Sequence, residues 1–293
     1  MRSFASFHPI VLFVYYMSVI SVTMFLIHPI ILMISLFGSI LFFAFITPLK
    51  SFWRDIGFYS LVFLLIAITN PIFVHKGETI LFFLNDNPVT FEAIIYGICI
   101  ATMLVAVIFW SKSYSYLMTS DKFVYLFGKI IPKLSLVISM ALRFIPLFKQ
   151  QIKKVNQTQK TLGLYTSNSV TDRVLSGVRT FNSMITWSLE NAIVQADAMK
   201  ARGYGLKGRT NFSLFRWFWR DKVVLAVIAF VFSITLYLNG KGQFAFTYYP
   251  TLSDIRLSWE YFIQFIVIFI LMILPALIEV KENLQWKYLQ SKI

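Results

Sequence analysis

Residues 10–46 read IVLFVYYMSVISVTMFLIHPIILMISLFGSILFFAFI, a run without one charged side chain. Its length is nearly twice the ~20 apolar residues that a helix needs to cross a bilayer. One polar pair, His28-Pro29, interrupts it. Proline is tolerated at the start of a helix, where its missing N–H has no partner to lose. The run is therefore read as two spans, 10–27 and 30–46, joined by a tight hairpin turn at Pro29.

Working outward, four more apolar runs appear at 58–74, 91–110, 223–238 and 262–277. Pro48, Lys50 and Arg54 close the first hairpin with positive charge, and Asn70-Pro71 predicts a kink near the end of the third span. Polar loops fill 75–90 and 239–260, and within the first of them 79–84 reads as a short strand or interfacial piece. Met1-Arg2 precedes the first span without a small-residue cleavage site, so that span is expected to stay as a membrane helix.

Composition agrees. Only 14% of residues are charged and 58% are apolar, against roughly 25% charged in soluble domains, and the mean hydropathy is +0.71. The net charge of +14 would suggest nucleic acid in a soluble protein. Here positive-inside topology and anionic lipid account for it, so no nucleic-acid partner is expected and membrane lipid is. With the N-terminus inside and six alternating spans, the outer loops hold Lys76, Lys241 and Arg256, three of 27 basic residues. Both termini and segment 111–222 are thus expected to face the cytoplasm of a multi-pass cell-membrane protein. The domains are read as 1–110 (four spans), 111–222 (a basic cytoplasmic and membrane-surface segment) and 223–293 (two spans and a short tail).

The same pattern excludes several chemistries. The spans hold essentially no ionisable group in their interiors, whereas proton pathways and membrane hydrolases need them. A single Cys99 and three scattered histidines offer no disulfide and no metal-ligand spacing. No G-x-x-x-x-G-K-[ST] loop is present. Gly203, Gly205 and Gly208 spell G-x-G-x-x-G, but a helix precedes them where the dinucleotide fingerprint requires a strand. No catalytic, cofactor-binding or metal-binding residue is assigned to this chain.

What remains is 111–222, with 18 Lys+Arg against 5 Asp+Glu. In Ala141-Leu142-Arg143-Phe144-Ile145-Pro146, Pro146 removes a backbone donor and predicts a bend between an apolar and a basic half-helix. Arg143 is the one charge before that bend, read either as a specific contact or as snorkelling to lipid phosphate. From Val170 to Arg202 an amphipathic helix is predicted, with Ser169 and Asp172 as a capping box. Its stripe (Val170, Val174, Val178, Phe181, Ile185, Leu189, Ala192, Ala196) is expected to pack on the preceding helix. Its end is Ala201-Arg202-Gly203: a guanidinium between small neighbours, suited to a carboxylate partner.

Two stretches, DKFVYLFGKIIPKLSLVISMALRFIPLF (121–148) and ADAMKARGYGLKGRT (196–210), together resemble the transmembrane T component of energy-coupling factor (ECF) transporters. The resemblance implies an all-α polytopic membrane protein of about six transmembrane helices with long cytoplasmic coupling helices. It implies a scaffold, not an enzyme: two ABC-type ATPases, which hold the ATP and Mg, are joined to a small membrane S component that captures a vitamin or metal ion. In that family each coupling helix ends in a motif centred on Arg, which docks on one ATPase. Ala201, Arg202 and Gly203 match the second motif. The first falls at Lys160, Thr161, Leu162 and Gly163, with Leu162 where the family has Arg. That contact is either apolar here or has its charge supplied by Lys160. A conventional ABC permease, forming the substrate path itself, is the alternative reading.

Overall fold

The computed structural model describes residues 4–84, 87–128, 131–163, 170–204, 206, 215–254 and 259–290. In chain order the helices are α1 (Pro9–Phe25), α2 (Pro29–Ile46), α3 (Leu49–Phe73), α4 (Phe91–Leu117), α5 (Ser120–Gly128), α6 (Pro132–Thr161), α7 (Val170–Ala201), α8 (Trp219–Gly240) and α9 (Trp259–Gln290). A short antiparallel hairpin, β1 (Ile80–Leu84) and β2 (Asn87–Thr90), precedes α4, so the 79–84 stretch does form a strand. Two compact units result, 1–119 with 215–293, and 120–214.

The first unit is a membrane bundle. Five of its helices (α2, α3, α4, α8 and α9) are long and apolar enough to cross a bilayer. The sixth expected span, α1, has 17 residues, about 26 Å at 1.5 Å per residue, against a hydrocarbon core of about 30 Å. α1 is apolar all round, as core helices and membrane spans are: Val11, Leu12, Tyr15, Tyr16 and Val19 are fully buried, and Met17, Met24 and Phe25 are exposed. Around it the few polar side chains tie helices together. Trp110 Nε1 donates to Ser35 Oγ at 3.1 Å, Ser35 and Thr23 share a hydrogen bond of 2.6 Å, and Tyr15 donates to the Leu271 carbonyl at 3.2 Å. In a low-dielectric interior such bonds are costly to break, and they fix which helix faces which. Gly38 lets α2 meet α9 closely: a Cβ there would stand 3.1 Å from the Met272 carbonyl oxygen.

α3 begins at Leu49, so Lys50 and Arg54 lie in its first turns and not in a connection. Its Asp55 pairs with Lys112 of α4 at 2.7 Å, and the same ammonium lies 4.7 Å from the Tyr59 ring centre. In the 239–254 stretch Tyr248 is buried and donates to the Ile27 carbonyl at 3.0 Å.

The second unit is an antiparallel helical hairpin, α6 against α7, with α5 packed on α6. Ser176 donates to Gln159 at 2.9 Å, Thr180 donates to Asn156 at 3.0 Å, and the Phe148 and Trp187 rings meet edge-on at 5.3 Å. Each step back along α6 is thus a matching step forward along α7.

Candidate functional site

The end of α7 is built by its backbone. Arg202 N–H completes the last helical bond, to the Ala198 carbonyl at 3.2 Å. Gly203 then turns left-handed at φ +79° and donates to the Lys200 carbonyl at 2.9 Å, while Tyr204 donates to that of Met199 at 3.0 Å. These are the two bonds of a Schellman cap, which needs a residue without Cβ at the left-handed position. Ala201 is the last helical residue, and Arg202 is the cap itself. Arg202 is exposed, and among the described residues none pairs with its guanidinium. Lys200, by contrast, lies 3.9 Å from Asp197.

α6 ends in the same way. Leu162 donates to Thr158 at 3.0 Å, and Gly163, at φ +71°, donates to Lys160 at 3.1 Å. Leu162 therefore holds the cap position that Arg202 holds on α7, Gly163 corresponds to Gly203, and Lys160 corresponds to Lys200. Leu162 is 68% exposed.

Because α6 and α7 run antiparallel, the two caps lie at opposite ends of the hairpin. Ser176 sits beside the first cap, and Arg202 follows 26 residues later, roughly 40 Å along the helix. The structure therefore does not bring the two motifs together. Arg143 and Pro146 are exposed positions within α6, and the helix continues through Pro146 from Pro132 to Thr161. Gly177 and Ser183 likewise leave α7 intact. Ser169 of the expected capping box lies outside the described residues, as do Gly205 and Gly208.

One expectation is overturned. The apolar stripe of α7 does not pack on α6: Val170, Phe181 and Leu189 are 75%, 65% and 61% exposed. The face that meets α6 carries Ser176, Thr180, Met184 and Trp187 instead. The reason is that α6 presents Asn156 and Gln159 there, and buried amides require hydrogen-bonding partners. The apolar face is left open. Tyr204 and Leu206, which the sequence reading passed over, flank the Arg202 cap and are also exposed. Among the described residues no cluster of His, Cys, Asp or Glu could hold a metal.

The family model described as cobalt transport protein (CbiQ) matches residues 8–212. The chain belongs to that family. Relatives include the energy-coupling factor transporter transmembrane protein EcfT of Listeria innocua, 29% identical over 190 residues that cover 60% of this chain and 71% of the relative. The Staphylococcus aureus protein of the same name is 26% identical over 192 residues, 61% of this chain and 72% of its own. The one from Bacillus subtilis is 30% identical over 112 residues, 38% of this chain and 42% of its own. The matched region takes in α1–α7 and both helix caps.

Proposed function

We propose that this chain is the non-catalytic membrane subunit of an ATP-driven micronutrient importer, coupling two ABC-type ATPases to a small substrate-capturing membrane protein. The observation that carries this reading is the Arg202 cap: a guanidinium without a partner among the described residues, presented by a Schellman turn at the end of a 32-residue helix. ATP and Mg belong to the partner ATPases. When these bind ATP and close, they draw the helix ends with them, and α6 and α7, locked by the Gln159–Ser176 and Asn156–Thr180 bonds, move together. The open stripe of α7 gives the substrate-capturing subunit an apolar seat whose tilt follows that movement. The cargo, a vitamin or a metal ion, is bound by that subunit. In the cell membrane both termini of the chain face the cytoplasm.

The test is Arg202→Ala in the assembled complex. A charge-assisted hydrogen bond is worth about 1.5–3 kcal/mol, so ATPase affinity should fall roughly 10- to 100-fold, and uptake with it. Full ATPase retention and normal transport in Arg202→Ala would overturn the reading.

A further inference from the structure

We propose that the β1–β2 hairpin is a lipid anchor: its apolar strand lies among the headgroups and upper acyl chains of the leaflet it adjoins, and holds the α3–α4 pair to that surface. This is independent of the coupling role proposed above. Ile80, Leu81, Phe82 and Phe83 are each more than half exposed. Successive side chains of a strand point to opposite faces, so both faces of β1 are bare. A sheet that docks on protein covers its apolar face and turns a polar one to water. A ribbon apolar on both faces needs apolar surroundings on both, which acyl chains supply and one protein surface does not.

The feet of the hairpin are held by polar bonds. Glu92, in the first turn of α4, accepts from Thr79 Oγ1 at 2.8 Å and from the Thr79 N–H at 3.3 Å. Thr90 Oγ1 donates to the Lys76 carbonyl at 2.9 Å, and Nδ1 of His75 bonds to the Pro88 carbonyl at 3.2 Å. The strand is thus tied to the ends of two membrane helices. α3 is apolar enough to cross a bilayer, and Leu64, Ile68 and Phe73 along it are exposed. Phe91, where α4 begins, is exposed too. The lipid-facing surface of α3 therefore continues through both feet into β1.

The backbone sets the depth. β1 pairs with β2 on one side and, among the described residues, with no strand on the other. An open edge is not tolerated in the hydrocarbon core, so the hairpin stays at the headgroup boundary, where water still reaches it. In bulk water the same edge would be a template for aggregation: β1 carries no charge or proline to blunt it, whereas β2 carries Pro88. Exposed Lys76, at the foot, suits the phosphates of that boundary.

The test uses the full chain, purified with the subunits that accompany it and placed in nanodiscs of phosphatidylcholine and phosphatidylglycerol. Cys99, the single cysteine, is replaced by alanine. A nitroxide is attached at Phe82→Cys or Phe83→Cys, one on each face, with Ile68→Cys on α3 and Lys154→Cys on α6 as lipid and water references. Power-saturation EPR compares relaxation by oxygen, which concentrates in acyl chains, with relaxation by a water-soluble nickel chelate. The oxygen-to-nickel ratio at 82 and at 83 should be at least threefold that at 154 and below that at 68. A ratio at either position equal to that at 154, or to that at 68, overturns the anchor: the first puts the strand in water, the second in the hydrocarbon core. Inaccessibility of either position to both reagents means that protein covers that face, and overturns it as well.

Discussion

The membrane bundle and the α6–α7 hairpin treat apolar side chains in opposite ways. In α1 most apolar side chains are covered, and the scarce polar groups, Thr23 on α1 with Ser35 and Trp110 around it, bond across helices. In α7 the polar face is the covered one, and Phe181, Leu189 and Ile193 are more than half exposed. Hydrophobicity alone therefore does not say what is core. The bundle buries a large apolar core and exposes the rest as helices long enough to meet lipid, whereas the hairpin pairs its polar face and leaves its apolar stripe open. The coupling role proposed for the hairpin uses this division, since an open apolar face is what a partner can seat on.

The largest expected effect lies in the bundle. Trp110 is fully buried, donates to Ser35 and packs edge-on against Tyr15 and Tyr16. Trp110→Ala should cost about 3–5 kcal/mol, seen as a large drop in the thermal midpoint in detergent. An equally large residue in the hairpin should behave differently. Phe181→Ala should change the stability of the isolated chain by less than about 0.5 kcal/mol, yet weaken association with the substrate-capturing subunit by ~1–2 kcal/mol. Equal loss of stability in both variants would erase the contrast.

A smaller effect tests the polar seam of the hairpin. Ser176→Ala leaves the Gln159 amide oxygen buried without its 2.9 Å donor, a loss of about 1–3 kcal/mol. It should raise hydrogen exchange in the last turns of α6 and the first turns of α7 and leave the bundle untouched. Ser176→Ala with Gln159→Leu should recover part of the loss, since replacing both partners removes the unsatisfied group.

The bundle was legible in the sequence because lipid demands uncharged runs of fixed length, and Pro29 and Pro48 mark where they turn. The strand at 79–84 could be read from its apolar cluster. The sixth span, α1, has 17 residues between its caps at His8 and Leu26, at the lower end of the range of about 17–25 for a span, because its boundaries depend on those caps. The hairpin was legible in outline: its helices, the Arg202 end and the displaced motif at Leu162. The direction of the α7 stripe was not. Periodicity shows that one face is apolar, but what lies opposite is decided by Asn156 and Gln159 on another helix. Nor could the sequence show that Leu162 and Arg202 hold equivalent positions at their helix ends; that required the two left-handed glycines.

Those glycines give the smallest and sharpest comparison. Both Gly163 and Gly203 have positive φ, where a Cβ is strained by about 1 kcal/mol. A Cβ on Gly163 meets nothing within 4 Å, whereas one on Gly203 stands 3.1 Å from Leu206 Cδ1. Gly203→Ala should therefore loosen its cap more than Gly163→Ala loosens the other, read as faster exchange of the amide at position 203 than of the amide at position 163. Leu206→Ala in the Gly203→Ala background removes the close contact but not the φ cost, so it should bring the two caps back to equal protection. If Gly203→Ala and Gly163→Ala are already equal, Leu206 does not brace the Arg202 cap, and the difference between the two ends lies in the side chains at 162 and 202 alone.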